Sequence, residues 1–225
     1  IDHRGDVTLY TVSTSGGAVE IVSDSNVWLR GQIDMRGGGQ GDFQSTGINF
    51  RSESAALIYS GVGDVSLHHS GAVVIGNQLN TGGGSLTVDG GATFETTSLG
   101  SISTQGGDVL FNDVSNVVLG NSITTSGGDF RSLSLNGSFS VTRYTSQIVT
   151  SGGSVLIDHA QGIDTHNIIT SGADVRLVSG ANLRLRGRVD TRGGTGGNVS
   201  TEAVNLVTDN HYGLIYSGGG DVTLV

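Results

Sequence analysis

Aspartate follows glycine at regular places, as in Gly63-Asp64, Gly107-Asp108, Gly128-Asp129 and Gly220-Asp221. Carboxylates on glycine turns could build a calcium solenoid, in which Gly-Gly-x-Gly-x-Asp returns about every nine residues and neighbouring turns share each ion. Here the acids return at more than twice that interval, and Gly38-Gly39-Gln40-Gly41-Asp42 puts the acid one place out. These aspartates are therefore expected to cap turn N–H groups rather than hold metal. The six histidines are His3, His68, His69, His159, His166 and His211. None stands at metal-ligand spacing from another, because His68 and His69, as neighbours on a strand, must point to opposite faces. They are read as surface residues.

Two further groups could carry chemistry. Asp34 and Asp190 could serve as an acid and base on a polysaccharide, but they occupy equivalent places in distant repeats, which reads as repetition. Arg184, Arg186, Arg188 and Arg192 form a basic cluster that could touch an anionic glycan or partner, although Asp190 stands inside it. They are kept as a candidate surface contact on an otherwise solvated face. No catalytic, cofactor-binding or metal-binding residue is assigned.

What must position these residues is a repeat. A motif of an apolar residue, any residue, Thr or Ser, any residue, then Gly-Gly runs through Val12-Ser13-Thr14-Ser15-Gly16-Gly17, Ile102-Ser103-Thr104-Gln105-Gly106-Gly107 and Ile123-Thr124-Thr125-Ser126-Gly127-Gly128. Each turn leads to an apolar anchor: Val19, Phe43, Val65, Leu86, Val109, Phe130, Val155, Val175, Val199 and Val222. Anchors are 20 to 25 residues apart, as between Val155 and Val175 or Phe130 and Val155. A third set of i, i+2 apolar pairs lies between, including Val27/Leu29, Ile48/Phe50, Val73/Ile75, Ala92/Phe94, Val117/Leu119, Leu183/Leu185 and Val204/Leu206. The i, i+2 spacing is that of one face of a strand. Three short strands and glycine corners in a repeat of about 22 residues describe one coil of a parallel β-helix, and ten coils bury a common core. A hairpin meander would need a turn signal after every strand and would keep no such long period. Thr81, Thr104, Thr125, Thr150, Thr170 and Thr191 are expected to form an inward ladder, their hydroxyls bonded to the corner backbone.

A longer period is superposed. Residues 19–43 match 175–199 at an offset of 156, sharing Leu29-Arg30-Gly31 with Leu185-Arg186-Gly187, Asp34 with Asp190 and Arg36 with Arg192. Ile58-Tyr59-Ser60 returns as Ile215-Tyr216-Ser217 at 157. The chain is read as one solenoid over residues 1–225, with a seven-coil unit at 1–156, a partial second copy at 157–225, and more copies beyond in a longer native chain.

The Ile-x-Thr-x-Gly-Gly-Asp-Val run at residues 102–109 and its counterpart from Ile123 to Phe130 resemble the large exoproteins of the filamentous-haemagglutinin type and the β-helical adhesins of two-partner-secretion and autotransporter systems. The resemblance implies a right-handed coil, export, and a role as stalk or adhesin at the cell surface or outside the cell. Composition suits a secreted, acidic surface. Glycine supplies 39 of 225 residues, proline, cysteine and lysine are absent, and the formal charge is −9. A chain so acidic lacks the basic face that nucleic acid needs, and no apolar run is long enough to span a membrane. The expected function is a non-catalytic structural or adhesive rod without cofactors. Its expected partners are itself, through end-to-end or lateral packing, and a glycan or host surface. The competing reading is a β-helical polysaccharide lyase or hydrolase, or a glycan-binding module.

Overall fold

The computed structural model describes residues 1–209 and 212–225. They form an all-β parallel solenoid of about ten coils, with about 23 residues per coil and no helix. The period follows from glycine corners that return once per coil and keep most strands to two to five residues.

Each coil contributes three strands. The first face carries the anchors, on strands such as Val19–Ser23, Val65–His69 and Val155–His159. The second face follows a bend, on strands such as Val27–Leu29, Asn116–Leu119 and Ile163–Thr165. In Val175–Leu185 and Val199–Thr208 the chain stays extended around that bend, which joins the two faces into one sheet of 19 strands. The third face is a ten-stranded sheet of short strands from Val12–Ser13 to Ile215–Tyr216.

Register confirms the anchor series. Val19 pairs with Phe43, Phe43 with Val65, and the line continues through Leu86, Val109, Phe130, Val155, Val175 and Val199 to Val222. All but Val222, which is 46% exposed, are buried. Alternation puts every second strand residue into the core, as in the buried-exposed pattern of Val19–Ser23. All six phenylalanines are fully buried, and Phe94, Phe111, Phe130 and Phe139 touch in sequence at ring centroid distances of 4.3, 5.7 and 6.1 Å.

The second face corrects the sequence reading by one pair in three coils. Val27 stands over Phe50 and Phe50 over Val73, so the inward positions are Phe50/Ser52 and Phe94/Thr96, while Leu206/Thr208 take the same register with Leu206 half-buried and Thr208 exposed. Ile48, Ala92 and Val204 are exposed. The inward slot accepts a hydroxyl because the next corner supplies a donor: the Gly76 N–H donates to Ser52 Oγ at 2.9 Å, and the Gly120 N–H to Thr96 Oγ1 at 2.9 Å. Apolarity alone therefore picked the wrong pair.

The threonine ladder is present. Thr81, Thr104, Thr125 and Thr150 are fully buried, and their hydroxyls donate to the carbonyls of Gly84, Gly107, Gly128 and Gly153. Thr191 donates to Gly197 at 2.6 Å, and Ser60 continues the line to Gly63 at 2.5 Å. The two glycines of the motif have separate causes. Gly106 and Gly127 adopt φ +124°, which side chains avoid. Gly107 and Gly128 are required by space, since a Cβ would land on the carbonyl of Gly84 or Gly107 in the preceding coil.

Candidate functional site

On the third face, outward residues stack as Ser13, Asp34, Tyr59, Asn80, Ser103, Thr124, Val149, Ile169, Asp190 and Tyr216. Two stretches of this row carry charge. The Arg36 guanidinium grips Asp34 through Nε at 2.9 Å and Nη2 at 2.6 Å, and lies over the Tyr59 ring at 4.1 Å. Arg192 holds Asp190 at the same two distances and lies over Tyr216 at 4.2 Å. The aspartate comes from one coil and the tyrosine from the next. Register therefore brings together residues 25 or 26 positions apart, Asp34 with Tyr59 and Asp190 with Tyr216.

The corners after these aspartates are the long ones. Residues 35–42 join Asp34 to Phe43, and residues 191–198 join Asp190 to Val199, eight residues in each case. The corner from Asn80 to Leu86 needs only residues 81–85. A shallow groove of about 450 Å³ lies between Arg36, the loop at 37–40, Gly61 and Val62. The hydrogen bonds from Arg36 and Arg192 hold the Asp34 and Asp190 carboxyls below the ordinary carboxylate range. Each is a fixed anion within a stacked ion pair, an arrangement suited to display and contact. The aspartate–arginine half of each cluster was visible in sequence, and the tyrosines only through the 157-residue repeat.

The four candidate arginines are each matched to a carboxylate. Arg184 bonds Asp209 at 2.9 Å, Arg186 bonds Asp164, Arg192 bonds Asp190 at 2.6 Å, and Arg188 approaches Asp190 at 3.7 Å. They are split between two places. Arg184 stands on the second face and Arg192 in a third-face corner, with Arg186 and Arg188 between. Asp190 is 6% exposed, so it is the covered centre of the Arg188–Arg192 pair.

The aspartates at the first-face entry accept backbone protons, but from the next coil rather than their own turn. Asp64 Oδ1 takes the Ser85 N–H at 2.7 Å, Asp108 takes Asp129 N–H at 2.7 Å, and Asp129 takes Ser154 N–H at 2.8 Å. Among the described residues no group of three or more His, Asp or Glu is arranged to hold a metal ion.

The histidines depart from the surface reading. His69 and His159 are 1% and 0% exposed, and His166 is also buried; His3 and His68 are exposed. His211 lies outside the described residues. His69 and His159 stand four places after the anchors Val65 and Val155, an even step that turns them inward. His69 Nε2 meets Ser45 Oγ at 3.1 Å and its ring packs on Phe50; His159 Nε2 meets Ser132 Oγ at 2.8 Å and packs on Phe139. Burial is the main cause that pushes both down to about 4, so they are neutral core residues. The even step was legible, and the serine partners were visible only once register was known.

The described residues contain no helix long and apolar enough to cross a membrane. No family model, curated protein or solved structure matches the chain.

Proposed function

We propose that this chain is a non-catalytic structural or adhesive rod of a secreted or cell-surface fibre, which packs with further copies of itself and presents contact sites to a glycan or cell surface. The observation that carries this reading is the recurrence of the Asp–Arg–Tyr corner in the same geometry on one row, from Asp34 to Asp190. Core packing does not require outward groups to repeat. A rod that presents one contact group at fixed intervals gains avidity from every added copy. Seven strand spacings separate the two corners, about 34 Å.

Negative-stain imaging of the assembly on the surface of producing cells tests the proposal. Thin unbranched fibres labelled along their length by an antibody to the Asp34–Arg36–Tyr59 corner are expected. A soluble protein that shortens an acidic polysaccharide, and loses that activity on one carboxylate substitution, would establish the lyase or hydrolase reading instead.

A further inference from the structure

The outward row of the second face carries the single tryptophan of the chain. Register stacks Thr8, Trp28, Arg51 and Val74 in successive coils. Trp28 is partly exposed between the buried Val27 and Leu29. Beside it runs a groove of about 180 Å³, lined among others by Asn26, Trp28, Asn49, Arg51, Ala72 and Val74. Its polar edge is rigid: Asn49 Nδ2 donates to Asn26 Oδ1 at 2.7 Å, and Asn49 Oδ1 accepts the Ala72 N–H at 2.7 Å.

Arg51 differs from most arginines here. Eight of the 11 have a carboxylate within ion-pair distance: Arg30, Arg36, Arg131, Arg176, Arg184, Arg186, Arg188 and Arg192. Among the described residues Arg51 has no carboxylate that close, although it stands on a strand in fixed register. The carboxylates near it are otherwise placed. Glu53 is held by Arg30 at 3.2 Å, and Glu95 stands two coils further along the row, beyond Val74. In a chain of net charge −9, Arg51 is a cation without an acid partner beside the only tryptophan.

The sequence-matched half supplies the contrast. Asn182 and Asn205 keep the amide pair at 2.9 Å, but Arg184 and Val207 stand where the first half has Trp28 and Arg51, and Arg184 is paired with Asp209. The scaffold recurs and the Trp–Arg pair does not, so coil packing does not require that pair.

We infer that Trp28 and Arg51 form a binding site for an acidic saccharide, the indole lying against the apolar face of one sugar ring and the guanidinium holding its carboxylate. Aromatic and arginine side chains together are the residues that most often dominate recognition surfaces, and a guanidinium matches a planar carboxylate in two-point geometry. The groove is small beside the roughly 300 Å³ or more of a drug-sized pocket, so it admits one ring of a chain that continues along the rod. The inference deepens the adhesive reading and rests on it only for its biological setting; fibre imaging and saccharide titration fail independently.

Because Trp28 is the only tryptophan, intrinsic fluorescence reports on the site directly. The whole chain is titrated with oligogalacturonate, with a neutral cello-oligosaccharide and with an oligoglutamate peptide. A saturable emission shift with oligogalacturonate is expected, weaker with the other two. Arg51→Gln should weaken it by about tenfold or more, as loss of a charge-assisted hydrogen bond does. Trp28→Ala, followed by calorimetry, should abolish it, while circular dichroism and melting show both variants folded. A flat titration, an Arg51→Gln variant that binds as the parent does, or equal binding of the peptide would overturn the inference.

Discussion

Acid should loosen the rod through two rings at its core. His69 and His159 are buried with a serine hydroxyl as partner and no carboxylate bonded to either ring. The charged or titratable neighbours that act on them are His68, which disfavours protonation of His69, and Asp158, which favours that of His159. Each group titrates near 6.5 when unfolded and at about 4 when folded. The unfolded chain therefore binds more protons between these values, and stability falls as pH drops through that window. The loss is complete below about pH 4 and absent above about pH 7. At about pH 4.5 each ring should contribute a loss of roughly 2.5 kcal/mol, from about 1.36 kcal/mol per unit. Two rings give roughly 5 kcal/mol, comparable to the whole stability of many domains. At a urea slope of about 2 kcal/mol/M the midpoint should move down by about 2.5 M. Urea unfolding followed by circular dichroism reads this directly. The His69→Gln, His159→Gln double variant should be less stable at neutral pH yet show a much flatter dependence between about pH 7 and 4.5. Asp6, Asp34 and Asp190, held below their usual range by hydrogen bonds, add acid lability only below about pH 4. A midpoint independent of pH in the parent, or an unchanged slope in the double variant, would refute the account.

Four other outcomes follow from the geometry. Val109→Asp places an unpaired charge beside Phe111 and Phe130 and should cost about 4 kcal/mol or more, read as loss of cooperative melting. Gly107→Ala drives a methyl into the Gly84 carbonyl and should cost about 2 kcal/mol or more by urea midpoint. Ser126→Gly, at φ 56°, relieves a left-handed side chain and should be neutral or stabilise by up to about 1 kcal/mol. Thr125→Val leaves the Gly128 carbonyl without its donor and should cost about 1 to 3 kcal/mol, while Thr125→Ser should recover most of it.

The anchor register was readable because a strand slipped by one residue exposes its whole apolar face, so Val19 to Val199 admit a single alignment. The corner ladder was readable for a related reason: Thr104 and Gly107 stand at a fixed separation whenever the corner has its short form. Illegible were the places where a polar group replaces an apolar one inside. Ser52 and Thr96 can be buried because a glycine N–H of the next coil reaches each hydroxyl oxygen. His69 and His159 are buried because a serine one coil earlier meets the ring. Partners 24 and 27 residues away cannot be identified before the register is known. The same holds for Arg36 and Tyr59, whose stacking is a contact between coils.

The cross-coil bonds of the entry aspartates all run one way along the axis, each carboxylate taking a proton from the coil that follows it. With parallel strands throughout, the rod is mechanically a wound spring, and the aspartates at Asp42, Asp64, Asp108, Asp129 and Asp174 fasten successive turns with the same clasp. Tension applied to its two ends should peel turns off singly rather than rupture the whole core together. One turn of about 23 residues pulled straight releases about 75 Å, at about 3.3 Å per residue. Force–extension traces should accordingly show a train of nearly equal steps, with load dissipated turn by turn.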